Sequence, residues 1–202
     1  MAEGTTYRRA VPEDGQAIAD VHARSWPWTY DGLLPAEVIS GVVGDREARA
    51  SRLRSAIADE STSQRVWVAT REDIVVGFAT WSPSPDEDAT DTTADVGAIY
   101  LDPVAVGQGV GRRLLEHVLD ELTGAGFIDA TLWVLRTNSR ARRFYEGAGW
   151  LPDGAAKMVE LHGGVLDEVR YRRQRTPGQP LLAELADGPM RGSSEASPTS
   201  GS

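Results

Sequence analysis

The amino-acid sequence predicts an α/β fold, more strictly α+β, with one mixed, mostly antiparallel sheet of about seven strands and helices on both faces. Three observations predict it. Strand-like apolar runs alternate with helical patterns in the middle of the chain, and strand pairs joined by short turns lie toward both ends. The chain of 202 residues is also long enough to bury one sizeable core. Together these patterns favour a sheet that is covered on both sides.

The elements of the first half follow from local patterns. Alternating β-branched and aromatic residues indicate strands, and two such runs on either side of Glu72 and Asp73 indicate a hairpin. Pro12, Glu13 and Asp14 form a helix-start signal, because proline and acidic residues favour the first turn. We expect a strand at 5–11, a helix after residue 12, a second helix at 45–59, and strands at 65–70 and 74–81.

The second half predicts the remaining four strands and two helices. A strand leads into a glycine-rich loop, and the helix that follows has an apolar stripe and ends near Gly124. The last two strands flank a turn that contains Gly163 and Gly164. We expect strands at 96–101, 129–135, 155–161 and 165–172, a helix from residue 110, and a short helix at 141–147.

Composition limits both the domain organisation and the function. Residues 1–175 are expected to form one domain, and residues 176–202 are low in complexity and predict a disordered tail. A net charge of −9 argues against nucleic acid as a partner. The absence of cysteine excludes disulfides, thiolate zinc sites and a cysteine nucleophile, and we expect no metal. Without an apolar run of about 18 residues or a signal peptide, we expect a cytoplasmic protein that does not bind membranes, and a homodimer stays open.

An aromatic segment at residues 25–35 has two interpretations. Trp26, Trp28 and Tyr30 stand close to two prolines, which predicts a rigid loop and not a helix interior. The segment either covers the first helix or forms one wall of an acceptor pocket, for which aromatic rings are good linings. His22, just before it, is interpreted as a packed residue, because no second metal-binding type lies three or four positions away.

A second open segment is the acidic stretch at residues 83–94, which Asp95 follows at the next strand. It is either a solvated loop or a source of attraction for a cationic ligand.

The glycine-rich loop carries the strongest functional signal. Gly107, Gly109 and Gly111 lie between a strand and the start of a helix, where bare backbone amides are presented to an anion. Arg112 and Arg113 in the first helical turn oppose the helix dipole, which makes sense if a phosphate shares the site; otherwise they are solvated. The Walker loop and the Rossmann turn both fit this spacing poorly.

Residues 106–111 resemble motif A of the GNAT N-acetyltransferases, Q/R-x-x-G-x-G/A. Gly109 and Gly111 match, whereas Val106 replaces the Arg or Gln that the family prefers and removes one side-chain contact. Downstream, the pattern NxxAxxFYxxxGF of motif B is matched at Asn138, Ala141, Phe144, Tyr145 and Gly149, with Trp150 in place of the final Phe. The chain is therefore identified as a small bacterial member of this family, with the resemblance covering residues 5–173.

The resemblance implies acetyl-CoA as co-substrate and a bulged strand at 99–101 whose freed backbone groups bind the pantetheine arm and the oxyanion. It implies Tyr145 as general acid for the thiolate, unless that ring is only a core aromatic. Asp95 is the first choice for the base, unless it is solvated, and Trp26, Trp28 and Tyr30 are expected to bind the substrate. The residues expected to contact the cofactor are Ile99, Tyr100, Leu101, Val106, Gly107, Gln108, Gly109, Val110, Gly111, Arg112, Asn138 and Phe144.

The leading hypothesis is acetyl-CoA-dependent acetylation of a primary amine on a small, cationic molecule by direct attack. The alternatives are acetylation of protein or peptide amines and a non-catalytic acyl-CoA-binding module, which Val106 keeps open.

Overall fold

The computed structural model describes residues 4–174, which form one seven-stranded sheet with five α-helices. The predicted tail at 176–202 lies outside the described residues. The strands are β1 (Thr5–Arg9), β2 (Arg65–Arg71), β3 (Ile74–Pro83), β4 (Thr93–Leu101), β5 (Asp129–Leu135), β6 (Leu151–Leu161) and β7 (Gly164–Gln174). The helices are α1 (Gly15–Tyr30), α2 (Ala36–Val43), α3 (Arg46–Ala58), α4 (Val110–Gly124) and α5 (Ser139–Gly147). The predicted fold class is confirmed.

The sheet has the order β1-β2-β3-β4-β5-β7-β6 and is mixed. Strands β4 and β5 are parallel, whereas every other neighbouring pair is antiparallel. Side chains alternate between two cores, as the pleat requires. Ile18 and Val21 of α1 pack on one face against Phe78, and Leu114 and Val118 of α4 pack on the other. Both faces of the sheet are therefore covered.

The parallel pair separates after a short stretch, and this separation positions the site. Strands β4 and β5 pair only at Thr93–Asp95 with Asp129–Thr131. Beyond Asp95, β4 continues along β3 while β5 continues along β7. The backbone of β4 from Val96 onward therefore has a strand on one side and an opening on the other. Open α/β sheets bind ligands where neighbouring strands diverge in this way.

Two local predictions were wrong. Residues 25–30 are not a loop, because α1 continues through Pro27 to Tyr30. The burial of Trp26, which is only 7% exposed, outweighs the backbone hydrogen bond that the proline removes. The bulge does not lie at residues 99–101: Thr80 opposes Ala98 and Ser82 opposes Asp95, so the extra residue of β4 lies at Val96–Gly97. Glycine, which packs no side chain, often marks such a bulge.

Candidate active site

A cavity of about 600 Å³ opens where β4 and β5 separate. It is lined by the end of α1, the exposed edge of β4, the glycine loop before α4, the start of α5 and the inner side of the β6–β7 hairpin. The predicted site residues that line it are Trp26, Trp28, Tyr30, Ile99, Tyr100, Leu101, Val106, Gly107, Gly109, Gly111, Arg112, Asn138, Phe144 and Tyr145. Residues distant in sequence thus meet in one space.

The glycine loop has the conformation that an anion site needs. Gly107 and Gly109 have φ angles of 78° and 82°, in the left-handed region that favours glycine, and Gly109 is the N-cap of α4. A Cβ on Gly111 would lie 3.2 Å from Cδ1 of Leu101, so this helix turn packs closely on the end of β4. The first-turn amides of α4 have no carbonyl within the helix to bind, and they are the donors that a phosphate uses.

The side chains around this loop differ in their roles. Arg112 lines the cavity, with its Nε 3.2 Å from Oε1 of Glu116 and its Nη1 donating to the carbonyl of Gly147 at 3.1 Å. Gln108 instead folds back and donates to the carbonyl of Val104 at 2.6 Å. Val110 is fully buried in the core of α4. Gln108 and Val110 therefore offer a ligand only their backbone groups.

Arg113 lies on the opposite side of α4, where its positive charge acts to lower the pKa values of Tyr7 and His117. Of the two arginines in the first turn, only Arg112 is placed to meet a phosphate.

Helix α5 brings a proton donor to the opening between the strands. Asn138 caps this helix, since its Oδ1 accepts from the backbone N–H of Ala141 at 3.0 Å. The ring of Tyr145 lies edge-on to Phe144 with a centroid distance of 5.2 Å. Burial raises the pKa of Tyr145 above its usual value of 10, and the charges of Tyr30 and Asp95 add to this effect. The hydroxyl therefore stays protonated at neutral pH and can donate.

Trp26, Trp28 and Tyr30 line the cavity from the last turns of α1, so they form a helical wall and not a loop. Tyr30 and Tyr100 lie with their hydroxyl oxygens 3.2 Å apart. Trp28 is 42% exposed, and the guanidinium of Arg140 at the start of α5 lies 3.8 Å from the centroid of its ring. Trp28 and Arg140 thus bridge α1 and α5 at the cavity, a contact that the sequence did not predict.

Two carboxylates lie at the inner end of the cavity. Asp95 does not line it directly, but Gly97 does, and a Cβ on Gly97 would lie 3.3 Å from Oδ2 of Asp95. The missing side chain leaves Asp95 next to the cavity wall. The pKa of Asp95 is raised to about 6, mainly by burial and also by the charges of Asp86 and Glu168, while the charge of Lys157 acts in the opposite direction.

Glu168 is the carboxylate that lines the cavity itself, and the sequence did not indicate it. It lies on β7 opposite Leu135 of β5, and burial raises its pKa as well. Lys157 of β6 is the residue paired with Glu168 across the two strands, and its Nζ lies 3.7 Å from Oε2 of Glu168.

The acidic loop between β3 and β4 is exposed at Glu87, Asp88 and Asp91, as a solvated loop would be, but two of its carboxylates are paired with arginines. Asp86 and Asp88 bind the buried Arg170 at 3.0 and 2.6 Å, and Asp88 also bridges to Arg172 at 3.3 Å. The Arg170 hydrogen bonds hold the pKa of Asp88 at about 2. Asp86 also accepts from Nε1 of Trp133 at 3.1 Å. These carboxylates therefore anchor the loop to β7, and their charges are already matched.

His22 is a packed residue, as predicted, at 5% exposure. Its ring packs against the rings of Trp26 and Tyr100. Burial lowers the pKa of His22 to about 3. Within residues 4–174, no group of three or more His, Cys, Asp or Glu side chains is arranged to hold a metal ion. Over the same residues, no helix combines the length and apolar character that crossing a membrane requires.

Comparison with known families gives a match over most of the described chain. A family model described as Acetyltransferase (GNAT) family matches residues 17–150. YuaI of Bacillus subtilis, an uncharacterised N-acetyltransferase, is 31% identical over 166 residues, covering 81% of this chain and 90% of the relative. The spermidine N(1)-acetyltransferase of Thermoplasma acidophilum is 23% identical over 144 residues, covering 71% of this chain and 86% of the relative. The peptidyl-lysine N-acetyltransferase YjaB of Salmonella typhimurium is 27% identical over 155 residues, covering 76% and 88%.

Solved structures share the fold at lower identity. The PaiA N-acetyltransferase from Thermoplasma acidophilum, solved in complex with coenzyme A, superposes with a TM-score of 0.70 at 19% identity, covering 84% of this chain and 98% of that one. YncA from Salmonella typhimurium, solved with acetyl-CoA, gives a TM-score of 0.63 at 21% identity, covering 90% and 99%.

Proposed function

Because this chain belongs to the acetyltransferase (GNAT) family, we propose that it moves the acetyl group of acetyl-CoA to a primary amine of a small, cationic molecule by direct attack. One observation carries the proposal. A single cavity joins the glycine loop, a protonated tyrosine and the carboxylate of Glu168 at the opening between β4 and β5, and the carboxylate of Asp95 lies next to its wall. These are the groups that acyl transfer from a phosphate-bearing thioester to an amine requires.

The donor half of the cavity fits the cofactor. The amides around Gly109 and Gly111, with Arg112 beside them, would hold the pyrophosphate of coenzyme A, the ligand with which a structure of the same fold was solved. The pantetheine arm would run along Ile99, Tyr100 and Leu101, whose backbone faces the opening on the β5 side. Phe144 and Asn138 would line the other side of the arm.

The reaction moves protons at the amine and at the sulfur, and the site has a residue for each position. Asp95, with a pKa of about 6, is ionised at neutral pH and would take the proton of the acceptor ammonium through water beside Gly97. The neutral amine then forms the N–C bond, and backbone N–H groups at the β4 edge stabilise the oxyanion. As the C–S bond breaks, Tyr145 donates its proton to the leaving thiolate, and the second proton that the nitrogen loses on becoming an amide restores the Tyr145 hydroxyl.

A small acceptor is favoured because α2 packs behind the cavity lining on the acceptor side and holds it in place. Val38 packs with Leu135 and Leu166 in a local apolar cluster. The approach is so close that a Cβ on Gly164 would lie 2.5 Å from Cγ2 of Val38, and a Cβ on Gly41 would lie 2.6 Å from Cγ of His162. With α2 fixed to the β6–β7 hairpin, Val38 packs behind Leu135 and Leu166, which line the pocket on this side. A lysine of a protein is the second candidate, since one relative is named for acetylating peptidyl-lysine.

Thiol release from acetyl-CoA, measured with a panel of small primary amines and with lysine-containing peptides, tests the proposal. We expect release that depends on a small amine, with the N-acetylated product identified by mass. Faster release with the peptides would favour the second candidate. Tight binding of coenzyme A without release on any acceptor would instead indicate a non-catalytic binding module.

A further inference from the structure

Lys157 is the single lysine of the chain, and it contacts two residues of the cavity lining without lining the cavity itself. Its Nζ lies 4.0 Å from the centroid of the Trp133 ring and 3.7 Å from Oε2 of Glu168. Trp133 and Glu168 both line the cavity. An aromatic face and a carboxylate are the two groups that most favour an ammonium ion, and here both are used by the protein's own side chain.

Strand pairing fixes this arrangement. Lys157 of β6 lies directly opposite Glu168 of β7, which in turn lies opposite Leu135 of β5. Trp133 is two residues before Leu135 and therefore shares its face of the sheet. Three adjacent strands thus hold the ammonium, the carboxylate and the ring in register. The charge of Lys157 also acts on Asp95, the residue proposed to take the substrate proton.

We propose that Lys157 is a built-in cation that fills the ammonium position beside Glu168 and Trp133, and so makes the enzyme select acceptors with one amino group over acceptors with a second cationic group. This inference rests on the proposed function, since it concerns the acceptor of that reaction.

The selection follows from the charge of the acceptor at the moment of attack. The attacking amine must be neutral, so a monoamine then brings no positive charge into the pocket. A diamine keeps its second ammonium, which would find the site next to Glu168 occupied and would lie close to a like charge. Without the lysine charge, the same ring and carboxylate would attract that second ammonium.

The test compares diaminobutane with n-pentylamine, in which a methyl group replaces the second amino group of the same chain. In the wild-type protein we expect kcat/KM for the monoamine to equal or exceed that for the diamine. Lys157→Gln removes the charge, and we expect it to raise the ratio of diamine to monoamine kcat/KM about fivefold or more, mainly through a lower KM for the diamine. Lys157→Arg keeps the charge and should keep the wild-type ratio. Adding Glu168→Gln to Lys157→Gln should abolish the gain.

Calorimetry with coenzyme A shows whether each variant retains its fold and its donor site. The inference is overturned if Lys157→Gln leaves the ratio unchanged, or if Lys157→Arg changes it as much as Lys157→Gln does. If amines are acetylated and only the ratio fails to move, the proposed function stands without this inference. If no amine is acetylated, both are overturned.

Discussion

Asp95→Asn changes one carboxylate to an amide of the same shape, and it should move stability and activity in opposite directions. The folded protein holds the proton of Asp95 with a pKa of about 6, against an ordinary value of 3.8. At about 1.4 kcal/mol per pH unit, this difference corresponds to about 3 kcal/mol of unfavourable charge burial. Because the carboxylate is partly open to water, we expect about half of that, roughly 1–2 kcal/mol.

The sign follows from proton linkage. Since the folded state binds the proton more tightly than the unfolded state, the wild-type protein loses stability as pH rises from about 4 to about 6. Asp95→Asn removes this loss. The variant should match the wild type near pH 4 and exceed it by roughly 1–2 kcal/mol at pH 8, where the carboxylate is ionised. Urea unfolding at these two pH values measures the difference.

The kinetic effect should be a loss confined to the acceptor. The wild-type kcat/KM for the amine should fall below about pH 6, where Asp95 is protonated. Asp95→Asn should lower it about a hundredfold at neutral pH, remove this acid limb and raise the KM for the amine, with the KM for acetyl-CoA nearly unchanged. Asp91→Asn, at an exposed position of the loop that precedes β4, is the matched control. A variant that is less stable at pH 8, or that is equally impaired toward both substrates, would refute the reasoning.

Three further substitutions separate the parts of the site. Tyr145→Phe keeps the ring but removes the proton donor, so kcat should fall roughly 10- to 1000-fold with coenzyme A affinity retained in calorimetry; wild-type turnover would assign the proton to another group. Gly111→Glu places a carboxylate against the pyrophosphate and should abolish coenzyme A binding by calorimetry, whereas Gly124→Glu, at the open far end of α4, should not; equal affinities would contradict the loop assignment. Trp28→Ala removes the ring under Arg140 and should raise the KM for the amine severalfold but not that for acetyl-CoA; the reverse pattern would place Trp28 in the donor half.

The sequence predicted the fold and the donor half of the cavity because their requirements are local. Gly109 has a left-handed backbone at the junction between a strand, a loop and a helix. The residues on either side of it are enough to predict that junction. Asn138 stands where a helix needs a cap, a few residues before Tyr145. Such patterns can be identified in the sequence without knowing the contacts that the rest of the chain makes. The roles proposed for these residues remain predictions.

Tertiary packing explains the predictions that were wrong. Pro27 predicts the end of a helix, but α1 continues beyond Pro27 because Trp26 is buried against His22 and Tyr100. The acidic loop is exposed at Glu87 and Asp91, as its composition indicates, but local patterns do not predict that Arg170, distant in sequence, binds Asp86 and holds the loop against β7. In both cases the deciding contacts are long-range, so no local pattern announces them.

The acceptor half could not be predicted for the same reason. Glu168 and Lys157 lie in ordinary strand sequences, and only the pairing of β6, β7 and β5 brings them to Trp133. Arg140 contacts Trp28 only because α1 ends and α5 begins at the same opening.

The most direct test of the account is a single turnover of the wild-type protein with isotopically labelled acetyl-CoA and n-pentylamine, followed by the masses of both the amine and the intact protein. Direct attack in this cavity predicts that the label appears in N-acetylpentylamine at the rate at which coenzyme A is released, while the protein mass stays unchanged. A protein that gains the acetyl mass before the product forms would contradict direct attack. Bound acetyl-CoA that passes no label to the amine would contradict the proposed function itself.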